Sequence, residues 1–281
     1  MKRLLRTLAF AIVAMLGSSA FAGDGIAFIT NLVGDVAVDG SARPILMSEL
    51  SKGQKIVVPM GSRLSVMYLQ SGKEYALKGP GDFFVGEREI MAGTGMPPVA
   101  RETSWRANSQ VLVNIAQTSS ASIRMRSFSP PAKADHKARL LFPTLGTISG
   151  LQPTFLWVAG ESKRPAEITL AAAGNEDSPV LRSKVAANSF RAPAKLQPDT
   201  EYVWTVSSDG RAIGTGKFRT LPLSAIHAID THRPSEKADF SDRLLFALLL
   251  HEHGAQQEAR NAWGKLAQER SDLPELAGLA K

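Results

Sequence analysis

Between residues 25 and 90 short apolar runs alternate with glycine corners, a spacing that admits short strands joined by tight turns and little else. The strand candidates are Ile26 to Ile29, Asp35 to Val38, Lys55 to Val58, Arg63 to Leu69, Glu74 to Leu77 and Asp82 to Val85. Asp39-Gly40, Lys52-Gly53, Gly61-Ser62, Ser71-Gly72 and Gly79-Pro80-Gly81 separate them, and glycine tolerates the positive φ such corners need. The stretch GPGDFFVGERE is not a phosphate loop: Pro80 lacks the backbone donor a phosphate would use, and no Gly-Lys-Ser/Thr follows. A turn leading into a strand is expected there.

A second β pattern follows over residues 139–222. Phe155 and Trp157 fall on one side of a strand, Ile168, Leu170 and Ala172 alternate on another, and Tyr202, Trp204 and Val206 share a face of a third. Asp209-Gly210 signals a hairpin, and Gly216 to Thr220 fits the last strand.

Two families are resembled. VGDVAVDG followed by LSKGQKIVVPMGSRLSVMYLQSGKEYALKGPGDFFV resembles the FecR-type domain of bacterial envelope proteins. Gly34, Val36, Val38, Leu50, Gly53, Ile56, Ser62, Leu64, Val66, Leu69, Gly72 and Leu77 carry the match, about a fifth of the chain. That resemblance implies a compact short-stranded β unit over residues 23–90, serving sensing or protein interaction rather than catalysis. Leu196-x-Pro198-x-Thr200-x-Tyr202 resembles the tyrosine corner of a fibronectin type III or immunoglobulin-like sandwich. It implies that Trp157, Tyr202 and Trp204 are core residues, with the Tyr202 hydroxyl bonded to nearby backbone.

The N-terminus supplies an address. Lys2, Arg3 and Arg6 precede an unbroken apolar run from Leu8 to Leu16, and Ala20-Phe21-Ala22 presents small residues at a signal-peptidase exit. Residues 1–22 read as a signal peptide cut between Ala22 and Gly23, and the mature chain as periplasmic or secreted. The run is too short for a membrane span, and no later segment approaches the roughly 20 apolar residues one needs. The sequence contains no cysteine, so disulfides, an N-terminal lipid-modified cysteine and a thiol nucleophile are all excluded. The net charge of +7 becomes +4 without the three leader cations, spread along the chain rather than clustered as nucleic-acid binding requires.

Residues 91–138 read as a connecting segment. Gly93, Gly95, Pro97 and Pro98 suggest a loop, 103–117 a weakly amphipathic helix with Trp105, Leu112 and Ile115, 121–126 an extended piece, and 129–137 a proline-containing linker. Arg124 and Arg126 alternate along the extended piece and read as its wet face. In the tail, residues 223–281, Asp239 to His253 and Gln256 to Glu269 have helical spacing broken at Gly254. Ala247, Gly254, Ala259, Trp263 and Leu266 resemble one tetratricopeptide-like hairpin. A single unit is poorly stable alone, so it is expected to pack on the sandwich or on a partner. His251 and His253 diverge by roughly 200° on a helix and cannot chelate one ion, and His227 and His232 fall in no ligand spacing.

The expected fold is therefore mainly β: a FecR-like β domain, an immunoglobulin-like sandwich and a C-terminal helical hairpin. The sequence carries no Gly-x-Ser-x-Gly, no supported Ser-x-x-Lys and no zinc motif, so no enzyme, cofactor or metal site is expected. The functional expectation is an exported binding or scaffolding protein with an envelope protein as partner. The alternatives are a carbohydrate- or cell-wall-binding module and a periplasmic hydrolase.

Overall fold

The structure, a computed structural model, describes residues 25–41, 43–107, 112–113, 138–144, 146–160, 165–208, 210–235 and 237–280. The signal-peptide reading, with Ala22 and Gly23, lies outside these residues, as do Ile115, Arg124, Arg126 and the linker. The fold is mainly β, with a helical region at the C-terminal end.

The first unit has nine strands: β1 (Ala27–Val33), β2 (Ala37–Val38), β3 (Glu49–Leu50), β4 (Lys55–Val58), β5 (Arg63–Tyr68), β6 (Glu74–Lys78), β7 (Gly81–Val85), β8 (Ile90–Thr94) and β9 (Val99–Arg101). They form two sheets, ordered β3-β1-β5-β6-β9 and β2-β4-β7-β8. Alternating residues such as Leu64, Val66, Ile56, Val58, Phe83 and Val85 bury between them. The loop expected around Gly93 is instead strand β8, and β9 follows the Pro97-Pro98 corner to pair with β6. Pairing to neighbours decided both, overriding the weak strand preference of glycine-rich sequence. The unit therefore runs past residue 90, and Trp105, on a 3₁₀ turn at Ser104–Ala107, and Leu112 also belong to its core.

The second unit packs a three-stranded sheet, β10 (Arg139–Phe142), β12 (Thr154–Val158) and β15 (Ser189–Arg191), against a five-stranded one. The larger sheet is ordered β11 (Thr147–Ile148), β17 (Arg211–Thr220), β16 (Glu201–Ser208), β13 (Ala166–Ala172), β14 (Leu181–Val185). Phe155, Trp157, Tyr202, Trp204 and Phe218 fill the space between the sheets, with the Phe155 and Trp204 ring centres 4.8 Å apart. The Tyr202 hydroxyl accepts the Gln197 backbone N–H at 2.9 Å. Gly216 lies where a Cβ would strike the Trp204 indole nitrogen, so only glycine lets β17 pass that ring.

Four helices close the chain: α1 (Leu223–Thr231), α2 (Phe240–Glu252), α3 (Gln256–Glu269) and α4 (Pro274–Leu279). Helices α2 and α3 match the expected pair, while α1 and α4 are additions. Every residue from Leu244 to Leu250 is buried, so α2 is covered on all sides rather than along one stripe. Fully burying each such large side chain contributes up to about 1.5–3 kcal/mol. The helices share one apolar core with the first β unit, including Trp263 of α3, rather than docking on the sandwich alone. The hairpin, expected to pack on the sandwich or on a partner, also packs on the first β unit: α2 has too much apolar surface for one neighbour, and β1, α1 and α3 all pack against it.

Candidate functional site

Two polar joints fix the helices in place and set up the site. At the first joint the β1–β5 register skips Thr30, a bulge that directs its hydroxyl to the buried Glu74 carboxylate at 2.5 Å. Arg101 of β9 lies 2.5 Å from Glu74 and 2.8 Å from Asp242 in the first turn of α2, and Ser241 donates to Glu74 at 3.1 Å. Burial pulls the Arg101 guanidinium toward losing its proton, but its hydrogen bonds to Asp242 and Glu74 outweigh that and hold it firmly charged. Arg270, just beyond α3, donates to the Asn31 side chain at 2.6 Å and to the Leu32 carbonyl, and lies over the Phe240 ring.

The second joint clamps α3 to the sandwich. Glu258 accepts the Ser149 backbone N–H at 2.7 Å and its hydroxyl at 2.8 Å. Gln257 accepts the Thr144 N–H at 3.1 Å and donates to the Leu141 carbonyl. Burial pushes the Glu258 carboxyl above its ordinary value, against the lowering effect of the Ser149 hydrogen bonds.

Between these joints the segment after α1 and helices α2 and α3 leave a cleft of about 560 Å³. Arg243, Phe246 and Leu250 reach it from α2, and Glu258, Asn261 and Lys265 from α3, each set at three-, four- or seven-residue steps on one helix face. Arg233, just after α1, is held by Asp230 at 3.0 Å with its guanidinium 5.4 Å from the Phe246 ring centre. Arg243 forks onto Glu269 at 2.5 and 2.8 Å. Lys265 also lines the cleft and has no ion-pair partner among the described residues. With Arg233 paired to Asp230 and Arg243 to Glu269, Lys265 is the cleft cation left for a ligand's anionic end, beside the apolar Phe246 and Leu250.

None of these cleft residues stood out in the sequence. The Glu258, Asn261 and Lys265 spacing was a readable signal, whereas Arg243 and Glu269 meet only because α2 and α3 pack together. The sequence-selected residues lie elsewhere. Trp157, Tyr202, Trp204 and Trp263 are buried, none more than 3% exposed. His227 is exposed on α1, His251 lies in the last turn of α2, and His253 caps that helix's C-terminus. His232 is buried and stacks on Trp105, ring centres 4.2 Å apart, and burial depresses its basicity. Among the described residues no group of three His, Cys, Asp or Glu side chains is placed to hold a metal ion. No described helix is long and apolar enough to cross a membrane. No protein-family model matches the chain, and no curated protein matches it significantly.

Proposed function

We propose that the protein is an exported, non-enzymatic envelope scaffold whose helices bracket a FecR-like β unit to an immunoglobulin-like sandwich and offer a cleft to a protein partner. The cleft is the observation that carries this reading: Lys265, with the ion-paired Arg233 and Arg243 at the rim, stands beside Phe246 and Leu250, between helices anchored at both ends. An acidic-apolar segment of an envelope protein has the matching chemistry. The leader pattern and the Gly34 to Leu77 motif support export and an interaction role. A tetratricopeptide-like hairpin remains the reading of α2 and α3.

Cell-wall binding on the sandwich is disfavoured because Trp157, Tyr202 and Trp204 are turned into the core and offer no stacking platform. Deleting the tail would expose the first unit's core, so point variants give the cleaner test. Cross-linking capture from envelope extracts is expected to recover a partner with the natural chain and to lose it with Arg233→Ala/Lys265→Glu. Equal capture by both, or co-sedimentation with purified cell wall that the variant leaves unchanged, overturns the reading. N-terminal sequencing of the exported protein tests cleavage at Gly23.

A further inference from the structure

The two sheets of the sandwich part company along one side. Strand β14 is the last of the five-stranded sheet and β15 the last of the three-stranded one. Beyond Arg191 the chain turns away from β14. Ala192 donates to the Pro153 carbonyl at 2.9 Å, Leu196 to the Leu151 carbonyl at 2.8 Å, and the Gln152 side chain to the Pro193 carbonyl at 3.2 Å. The facing wall is held by its own ladder, where Leu181 of β14 pairs with Leu170 of β13. Among the described residues no backbone hydrogen bond joins residues 192–197 to β14, and a cavity of about 230 Å³ lies between them. Its floor is the sandwich core: Leu170, Ala192 and Tyr202 line it, none more than 3% exposed. Leu181 and Leu196, half-buried against the same core, form the walls.

We infer that this slot binds a small monocarboxylate, its apolar body against Leu170, Leu181 and Leu196 and its carboxylate toward Lys195 and the Tyr202 hydroxyl. The site is separate from the helical cleft and does not depend on it. Two observations select the charge of the ligand. The buried Tyr202 hydroxyl accepts the Gln197 N–H, and its own proton meets no acceptor among the described residues. Lys195 is exposed at the mouth, with no ion-pair partner among the described residues. Both groups donate, and no aspartate or glutamate lines the slot to receive a cation. The apolar floor and walls select the body. At about 30 Å³ for each water-sized group, the volume holds roughly eight non-hydrogen atoms, a carboxylate with about five further carbons.

Titration of the full chain with sodium hexanoate, followed by methyl NMR, tests this. The Leu170, Leu181 and Leu196 signals are expected to shift saturably, with a Kd on the order of 1 mM for a ligand so small. The methyls of Leu276, buried among the helices, are expected to stay in place. Butyrate lacks two of the methylenes and is expected to bind roughly tenfold more weakly. Lys195→Glu changes an exposed side chain, so folding is spared. It is expected to weaken hexanoate about fivefold and to leave the neutral hexanamide unchanged. No saturable shift by about 20 mM hexanoate overturns the proposal. So does hexylamine binding as tightly as hexanoate, undiminished hexanoate binding by Lys195→Glu, or a shift that spreads to Leu276 without saturating.

Discussion

Trp157 and Trp204 occupy the same sandwich core with nearly identical burial, yet their indole nitrogens have different surroundings. Trp204 Nε1 donates to the Pro143 carbonyl at 2.6 Å, whereas Trp157 Nε1 meets no acceptor among the described residues. Trp204→Phe opens a gap and strands a buried carbonyl, so it is expected to cost about 2–4 kcal/mol. Trp157→Phe removes an unsatisfied donor along with some volume and is expected to cost about 1 kcal/mol. Urea midpoints of the two variants check the contrast. The Tyr202 corner was legible because its residues are close in sequence. The Pro143 bond spans 61 residues, and no local pattern announces it. Glu258 is a second residue whose role depends on packing. Its folded carboxyl titrates above its ordinary value of 4.5, so the native state holds the proton longer than the unfolded chain. Its contribution is greatest at acid pH and falls as pH rises from 4.5 through the raised value. Glu258→Gln keeps a hydrogen-bond acceptor for the Ser149 N–H and removes the titration. Its stability is expected to vary less with pH than that of the natural chain in melts run from pH 4 to 8. An unchanged profile would contradict the assignment.

At the scale of elements, the strands read from local alternation are in place. Lys55 to Val58 coincides with β4, while Arg63 to Leu69 and Glu74 to Leu77 differ from β5 and β6 by one residue. The elements missed are those that neighbours create. Strand β8 contains Ala92 and Gly93, which weaken strands, and β9 follows two prolines. Helix α1 buries only Ala225 and Ile229, too little apolar repeat to mark a helix, and α4 has six residues. The junction of β6, β9 and α2 was equally hidden, because Glu74, Arg101 and Asp242 are far apart in the chain. Arg101→Ala leaves Glu74 buried without its cation and is expected to cost about 3–5 kcal/mol. Adding Glu74→Gln removes the stranded charge and is expected to recover a substantial part of that loss. Denaturant unfolding of the single and double variants checks both statements, and additive costs would contradict them.

At the scale of the whole molecule, the C-terminal helices join the two β units. Their apolar side belongs to the first unit's core, and Gln257 and Glu258 hold the sandwich. The sequence distinguished the two β patterns and the helical tail. It placed the tail as an appendage because one helical period shows a single face, whereas α2 is buried all round. The central claim is that this bracket holds the two units at one separation. The cysteine-free chain allows spin labels to be placed at Met60→Cys in the first unit and Val180→Cys in the sandwich. With the labelled protein diluted into unlabelled chain, pulsed electron–electron resonance should give a single narrow distance distribution. Glu258→Ala, which strips the clamp from Ser149, should broaden it. A broad distribution in the otherwise natural chain would contradict the account.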